Sequence, residues 1–157
     1  MKKIIFLTNM ESDYLGMQEA VRTLDAVPDG ESRFSLHQLD GTESFTPLWE
    51  KEVREASFIL VTWMGTGLSC DFLKDASRMM QKERIVHLMK IADSGSDKVD
   101  FGLTPAEMEA IRGYFASGGL QNYRSLCCWM LRRFQGLDCQ VPEPVAMPWS
   151  GIYRPRL

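Results

Sequence analysis

The chain is short of the features that would place it quickly, and each shortage removes a class of function. Two histidines, His37 and His87, are all it has. Both fall inside stretches that read as strands, so neither stands by sequence beside a Ser or Cys nucleophile, and a metal site, whose ligands come in groups, is not written here. His87 reads as a satisfied core histidine. The four cysteines, Cys70, Cys127, Cys128 and Cys139, show no CxxC spacing. Adjacent Cys127 and Cys128 point to different sides of a helix, so the expectation is buried or half-buried thiols in a reducing compartment. No long hydrophobic run opens the chain: in MKKIIFLTNMESD the apolar part is only Ile4 to Leu7, with acids following, too short for a signal or membrane segment. This segment reads as a strand of a cytoplasmic protein. Positive charge is not in excess either. A net charge of −3 and a pI near 5.4 give no general attraction to nucleic acid or to an anionic membrane. There is no internal repeat and no low-complexity segment.

What is present is an ordinary globular composition, 45% apolar and 25% charged over 157 residues, enough for one domain with a core. The most organised stretch is TPAEMEAIRGYFASGGLQNYRSLCCWMLRRFQ, from Thr104 to Gln135. Thr104, Pro105 and Glu107 have the spacing of a capping box with proline at the first helical position. Met108, Ile111 and Phe115, flanked by Tyr114, form an apolar stripe, and Gly118-Gly119 supplies the backbone freedom for a helix end. A second helix follows through Leu120, Tyr123, Cys127, Met130 and Phe134, with Leu126 and Leu131 beside them and Gly136 as its stop. Arg124, Arg132 and Arg133 read as a solvated basic side, with Trp129 leaving room for a partner. Neither helix is stable alone in water, so the rest of the chain must offer the surface they cover.

That surface is predicted to be an open parallel sheet. Lys3–Thr8 and Ser57–Trp63 are continuous apolar runs suited to strands covered on both faces, Arg33–Leu39 has the mixed pattern of an edge strand, and Arg84–Ile91 is a fourth strand. Between them, Ser12–Leu24, Pro47–Ala56 and Asp71–Lys82 carry helical spacing, with Ser12 or Asp13 as the first cap. Strands alternating with helices predict an α/β fold of the Rossmann or flavodoxin-like kind, four parallel strands in the order 2-1-3-4 with helices on both faces. Ala92–Leu103 reads as a polar loop. Residues 1–140 are expected to be the α/β domain, and 141–157 a Pro-rich extended tail leading to a further domain.

Ligands of such sheets sit outside the carboxyl ends of the strands. Three loops qualify: Asn9 to Asp13 with Thr8 at its start, Met64 to Ser69 with Gly65, Thr66 and Gly67, and Asp93 to Asp97. Gly65 and Gly67 would let backbone N–H groups approach a phosphate. Yet the third glycine of a dinucleotide fingerprint and the Walker lysine are both missing, and Glu11 and Asp13 stand where a flavin phosphate would want hydroxyls. A structural turn and simple helix capping are the plainer readings.

The order of motifs resembles the N-terminal region of the cobaltochelatase large subunit (CobN) and the magnesium-chelatase H subunit. The resemblance rests on FLTNMESDYLGMQEAVRTL after the first strand, on IRGYFASGGLQNYRSLCCWML, and on PWSGIYRP; its specific residues are Tyr114, Gly118, Gly119, Asn122, Gly151, Ile152, Tyr153 and Pro155. The chain departs from that pattern in Trp63-Met64-Gly65, where the family has an Arg-containing, Gly-rich run, and in Arg154, where histidine is common. The resemblance implies a part in ATP-dependent insertion of Co²⁺ into a corrin-type ring for cobalamin synthesis, with Mg²⁺ and a porphyrin as the related case. It implies that this segment carries no catalytic residue and no cofactor of its own. Its partners would be the remainder of a very large subunit, AAA+ subunits that hydrolyse ATP, and the tetrapyrrole. The competing expectation is a free-standing flavodoxin-like module that binds a small molecule or regulates.

Overall fold

A computed structural model describes residues 2–24, 27, 29–65, 70–91 and 99–139. Its core is a five-stranded sheet. The strands are β1 (Lys3–Thr8), β2 (Phe34–Gln38), β3 (Ala56–Trp63), β4 (His87–Ile91) and β5 (Val99–Phe101), arranged β2-β1-β3-β4-β5. The first four are parallel in the predicted order, and β5 lies antiparallel on β4, with His87 opposite Phe101 and Met89 opposite Val99. The fifth strand corrects the expectation of a loop over Ala92–Leu103. Val99-Asp100-Phe101 is too short to announce itself, and what holds it is non-local: the Phe101 ring stacks on the His87 imidazole at 6.4 Å and receives the Arg84 guanidinium on its face.

Alternation along each strand builds two cores. Ile4, Phe6, Phe34, Phe58, Leu60 and Leu88 face one side, where they meet α1 (Glu11–Arg22), α4 (Pro105–Ser117) and α5 (Gly119–Gln135). Ile5, Leu7, Ile59, Val61, Trp63 and Met89 face the other, against α2 (Pro47–Arg54) and α3 (Asp71–Lys82). Because both faces are covered, β1 and β3 read in sequence as unbroken apolar runs. Among the described residues no helix is long and apolar enough to cross a membrane.

Local chemistry sets most boundaries. Thr104 Oγ1 accepts from the Glu107 N–H at 3.1 Å while Glu107 Oε1 accepts from the Thr104 N–H at 2.9 Å, the predicted capping box of α4. α3 ends where Arg84 takes a φ of 58°, so the fourth strand begins at His87 and not at Arg84. The start of α1 also differs from expectation. Ser12 and Asp13 lie inside the helix, and its N-cap, Met10, offers no side-chain acceptor; Thr8 Oγ1 instead takes the Met10 N–H at 3.0 Å, and Glu11 and Asp13 face the positive end of the helix from its first turn.

α5 is the helix that ties the molecule together. Its Phe134 ring stacks on Phe58 of the central strand at 4.1 Å and 5°. Gln135 donates to the Lys2 carbonyl at 2.7 Å and to Ser57 Oγ at 3.1 Å, and accepts from Arg33 Nη1 at 2.8 Å, so one side chain joins the amino ends of three strands. Two of the three arginines read as a solvated side are engaged: Arg124 donates to Thr23 Oγ1 at 2.8 and 3.0 Å, and Arg133 pairs with Glu107. Trp129 is half-buried, edge-on to Phe134 at 5.8 Å.

Candidate functional site

The carboxyl end of the sheet is closed by cross-strand bonds before any ligand is considered. At its centre Thr62 Oγ1 donates to Thr8 Oγ1 at 2.8 Å, both buried. Beyond them the Asn9 side chain bridges β1 and β3, donating to the Met64 carbonyl at 2.7 Å and accepting from the Met64 N–H at 2.9 Å. Thr8 and Asn9 are thus spent on holding strand ends together, Asp13 sits in the first turn of α1, and Gly65 follows Met64 with φ +110°. Thr66, Gly67 and Asp93 lie outside the described residues, as do Gly151, Ile152, Tyr153 and Pro155.

Beside this closure is a cavity of about 580 Å³, lined by Gly41 to Phe45 and by Cys70, Asp71, Phe72 and Asp75. It belongs to the loop after β2, a fourth carboxyl-end loop that sequence reasoning passed over, although Asp40-Gly41-Thr42 directly after a strand is the turn signal that marks it. The loop folds around its own acids. Glu43 Oε2 and Oε1 each accept at 3.0 Å from the N–H groups of Asp40 and Gly41, and Asp40 Oδ1 accepts from the Thr42 hydroxyl at 2.6 Å and its N–H at 2.9 Å. These bonds, the hydroxyl first, hold the Asp40 carboxyl below the usual carboxylate range. Cys70 Sγ then donates to the Gly41 carbonyl at 3.3 Å, fastening the loop to the start of α3.

The consequence is electrostatic. In this loop the Asp40 and Gly41 amides that could cradle a phosphate already hold the Glu43 carboxylate, and the charged groups lining the cavity, Glu43, Asp71 and Asp75, are all acids. A phosphate or flavin phosphate would have to displace one anion while facing two more. Among the described residues no group of three or more His, Cys, Asp or Glu stands where it could hold a metal ion.

Two further clusters were not foreseen as such. Ser35 and His37, two apart on β2, share a face, and Ser35 Oγ lies 2.8 Å from His37 Nε2; the signal was the period of two in Ser-Leu-His. Burial lowers the His37 pKa, Glu52 pulls it the other way, and Trp49 meets the ring edge-on at 4.8 Å. No hydrogen-bonded carboxylate orients the other ring nitrogen among the described residues, so this is a polar pair and not a catalytic triad. The second cluster is sulfur. Cys127 and Cys128 are buried, as expected, and both belong to the same core as Cys139. Burial pushes the Cys127 thiol far up and that of Cys128, in contact with Cys139, to about 12, so neither is a nucleophile.

The residues of the helix-pair motif come together as a joint. Asn122 is buried and donates to the Gly118 carbonyl at 2.6 Å, while the Gly118 N–H reaches the Tyr114 carbonyl at 3.0 Å. Gly118 and Gly119 hold φ values of +68° and +86°, which L side chains rarely adopt, so the reversal between α4 and α5 requires glycine at both positions.

The chain is similar in structure to the catalytic subunit of cobaltochelatase from Mycobacterium tuberculosis, with a TM-score of 0.65 over 94% of this chain and 12% sequence identity. It spans 12% of that subunit. In sequence, 40 residues are 40% identical to an uncharacterized protein of Methanocaldococcus jannaschii, covering 26% of this chain and 3% of that protein. No family model matches the chain. At this identity the structural likeness establishes a shared α/β fold.

Proposed function

We propose that this chain is the N-terminal α/β domain of the tetrapyrrole-binding large subunit of an ATP-dependent metal chelatase, a cobaltochelatase acting on a corrin ring in cobalamin synthesis in the cytoplasm. The observation that carries the reading is the fold shared with a cobaltochelatase catalytic subunit across 94% of the chain. Two features support it. Tyr114, Gly118, Gly119 and Asn122, four of the eight residues that carry the sequence resemblance, form one structural joint. The loop after β2 fills its own amides with Glu43, which disfavours a flavin or nucleotide phosphate in the cavity it lines.

In this reading the domain is framework. Chelation requires the ring to be distorted, Co²⁺ to be delivered as substrate, and two pyrrole protons to be removed, and it needs bases around a large cavity. Those groups belong to the remainder of the subunit, and ATP with Mg²⁺ to separate AAA+ partners. The domain alone inserts no metal.

The test is complementation. A cobaltochelatase large subunit lacking the corresponding region is mixed with this chain, the AAA+ subunits, ATP, Mg²⁺, Co²⁺ and the metal-free corrin, and cobalt insertion is followed by absorbance. Insertion that depends on the chain is the expected result. Insertion indifferent to the chain, or stoichiometric binding of FMN or ATP by the chain alone with a rise in melting temperature, overturns the reading.

A further inference from the structure

Among the described residues, the outer edge of β2 has no strand paired to it, a state that natural sheets avoid. Among the described residues β2 pairs with β1 alone, in unbroken register from Ile4 opposite Phe34 to Thr8 opposite Gln38. Edge strands are normally blunted by lysine, proline, a bulge or brevity, and Phe-Ser-Leu-His-Gln has none of these over its five residues. The opposite edge, β5, is only three residues long. Since the Leu39 N–H reaches the Thr8 carbonyl at 2.8 Å, the alternation of a strand turns the N–H groups of Leu36 and Gln38 outward.

A groove runs along the same edge. It has a volume of about 290 Å³ and is lined by His37, Thr46, Leu48, Trp49 and Glu52. Leu48 is 73% exposed, the most exposed large apolar residue described, and the groove's one carboxylate is Glu52. The Ser35–His37 pair and the edge-on Trp49 fix its inner wall. A strand added to β2 would send alternate side chains toward α2, into this groove. Backbone donors on the edge and an apolar slot with an acid beside it therefore ask for the same occupant.

We propose that β2 and the His37–Leu48–Trp49 groove take up an extended segment of the remaining large-subunit polypeptide as a sixth strand. That segment places one large apolar side chain over Leu48 and Trp49 and carries a lysine or arginine facing Glu52. This rests on the chelatase reading and names the surface through which the domain joins the rest of the subunit.

The experiment uses the complementation mixture. Hydrogen exchange of the peptide spanning Phe34–Gln38 is compared in the free chain and in the complemented subunit, and is expected to slow at least tenfold on complementation. Leu48→Asp and Gln38→Pro are each expected to raise the concentration of chain needed for half-maximal cobalt insertion at least tenfold. Both positions are exposed, and Gln38 gives up only an outward N–H, so the melting temperature stays that of wild type. Complementation with unchanged exchange and wild-type behaviour of both variants overturns the docking surface and leaves the chelatase reading standing. Failure of the wild-type chain to complement overturns both. Protection of the same peptide in the free chain that grows with its concentration assigns the edge to a second copy, and also overturns the proposal.

Discussion

His87 sits fully buried in β4 with half its hydrogen bonding met. Nδ1 donates to the Ile85 carbonyl at 2.7 Å, and Nε2 has no partner among the described residues. Burial, against smaller pulls from the Ile85 carbonyl and Asp100, lowers its pKa below the ordinary 6.5. The unfolded chain therefore takes up this proton first as pH falls. The neutral imidazole's contribution is whole above about pH 6.5 and is lost below it, at up to about 1.4 kcal/mol per pH unit until the folded pKa is reached. His37 shifts in the same direction. His87→Phe is expected to keep the ring stack on Phe101 and remove one proton from the pH dependence, read as a smaller difference between urea midpoints at pH 7.5 and pH 5.5. An unchanged difference would place the acid sensitivity elsewhere. Sequence reasoning had His87 as a satisfied core histidine in a strand: strand and burial were right, but the ring is only half satisfied. It could not see the bare nitrogen, because the neighbours of that ring come from β5, a strand set by pairing and not by its own three residues.

Elements whose ends are written in local chemistry were legible, and those made by distant contacts were not. α4 announced itself through Thr104, Pro105 and Glu107, and its box formed as read. Thr104→Ala is expected to cost about 1 kcal/mol in chemical denaturation. Glu107 also pairs with Arg133, and its carboxyl, held low first by the Thr104 N–H and then by that arginine, keeps its contribution above the ordinary carboxylate pKa of 4.5 and loses it as pH falls further. The crossing of α1 and α5 had no such mark. A Cβ on Gly16 would run into the Tyr123 ring, so the glycine is the contact surface. Gly16→Ala sets a helix-propensity gain of about 1 kcal/mol against an overpacking cost of roughly 1–3 kcal/mol, and a net loss is expected. A stabilised variant would mean that Tyr123 can step aside. The Asp40–Glu43 loop was passed over although its turn residues were visible, because what fastens it beside the sheet is a distant residue, Cys70 at the start of α3.

At the scale of the whole molecule, the order of the four parallel strands was legible because strand–helix alternation and right-handed crossovers leave few topologies. The two-core construction follows from it and makes a quantitative claim. Ile5 on β1 belongs to the core under α2 and α3, whereas Ile111 on α4 belongs to the core under α1 and α5, and both are essentially fully buried. The sheet separates them, so they share no packing partner. Ile5→Val and Ile111→Val should each cost about 0.5–1.5 kcal/mol, and the double variant should equal their sum to within roughly 0.5 kcal/mol. Independence in energy does not imply independence in unfolding, because β1 and β3 contribute alternate residues to both cores and neither core survives loss of the sheet. Urea unfolding followed by tryptophan fluorescence and by far-ultraviolet circular dichroism should therefore give one coincident transition for all four proteins. An interaction energy above 1 kcal/mol would show that the sheet transmits packing strain between its faces. Separate transitions would show instead that the α4–α5 pair detaches from a sheet that remains folded, and that the joint at Gly118 and Gly119 is a hinge.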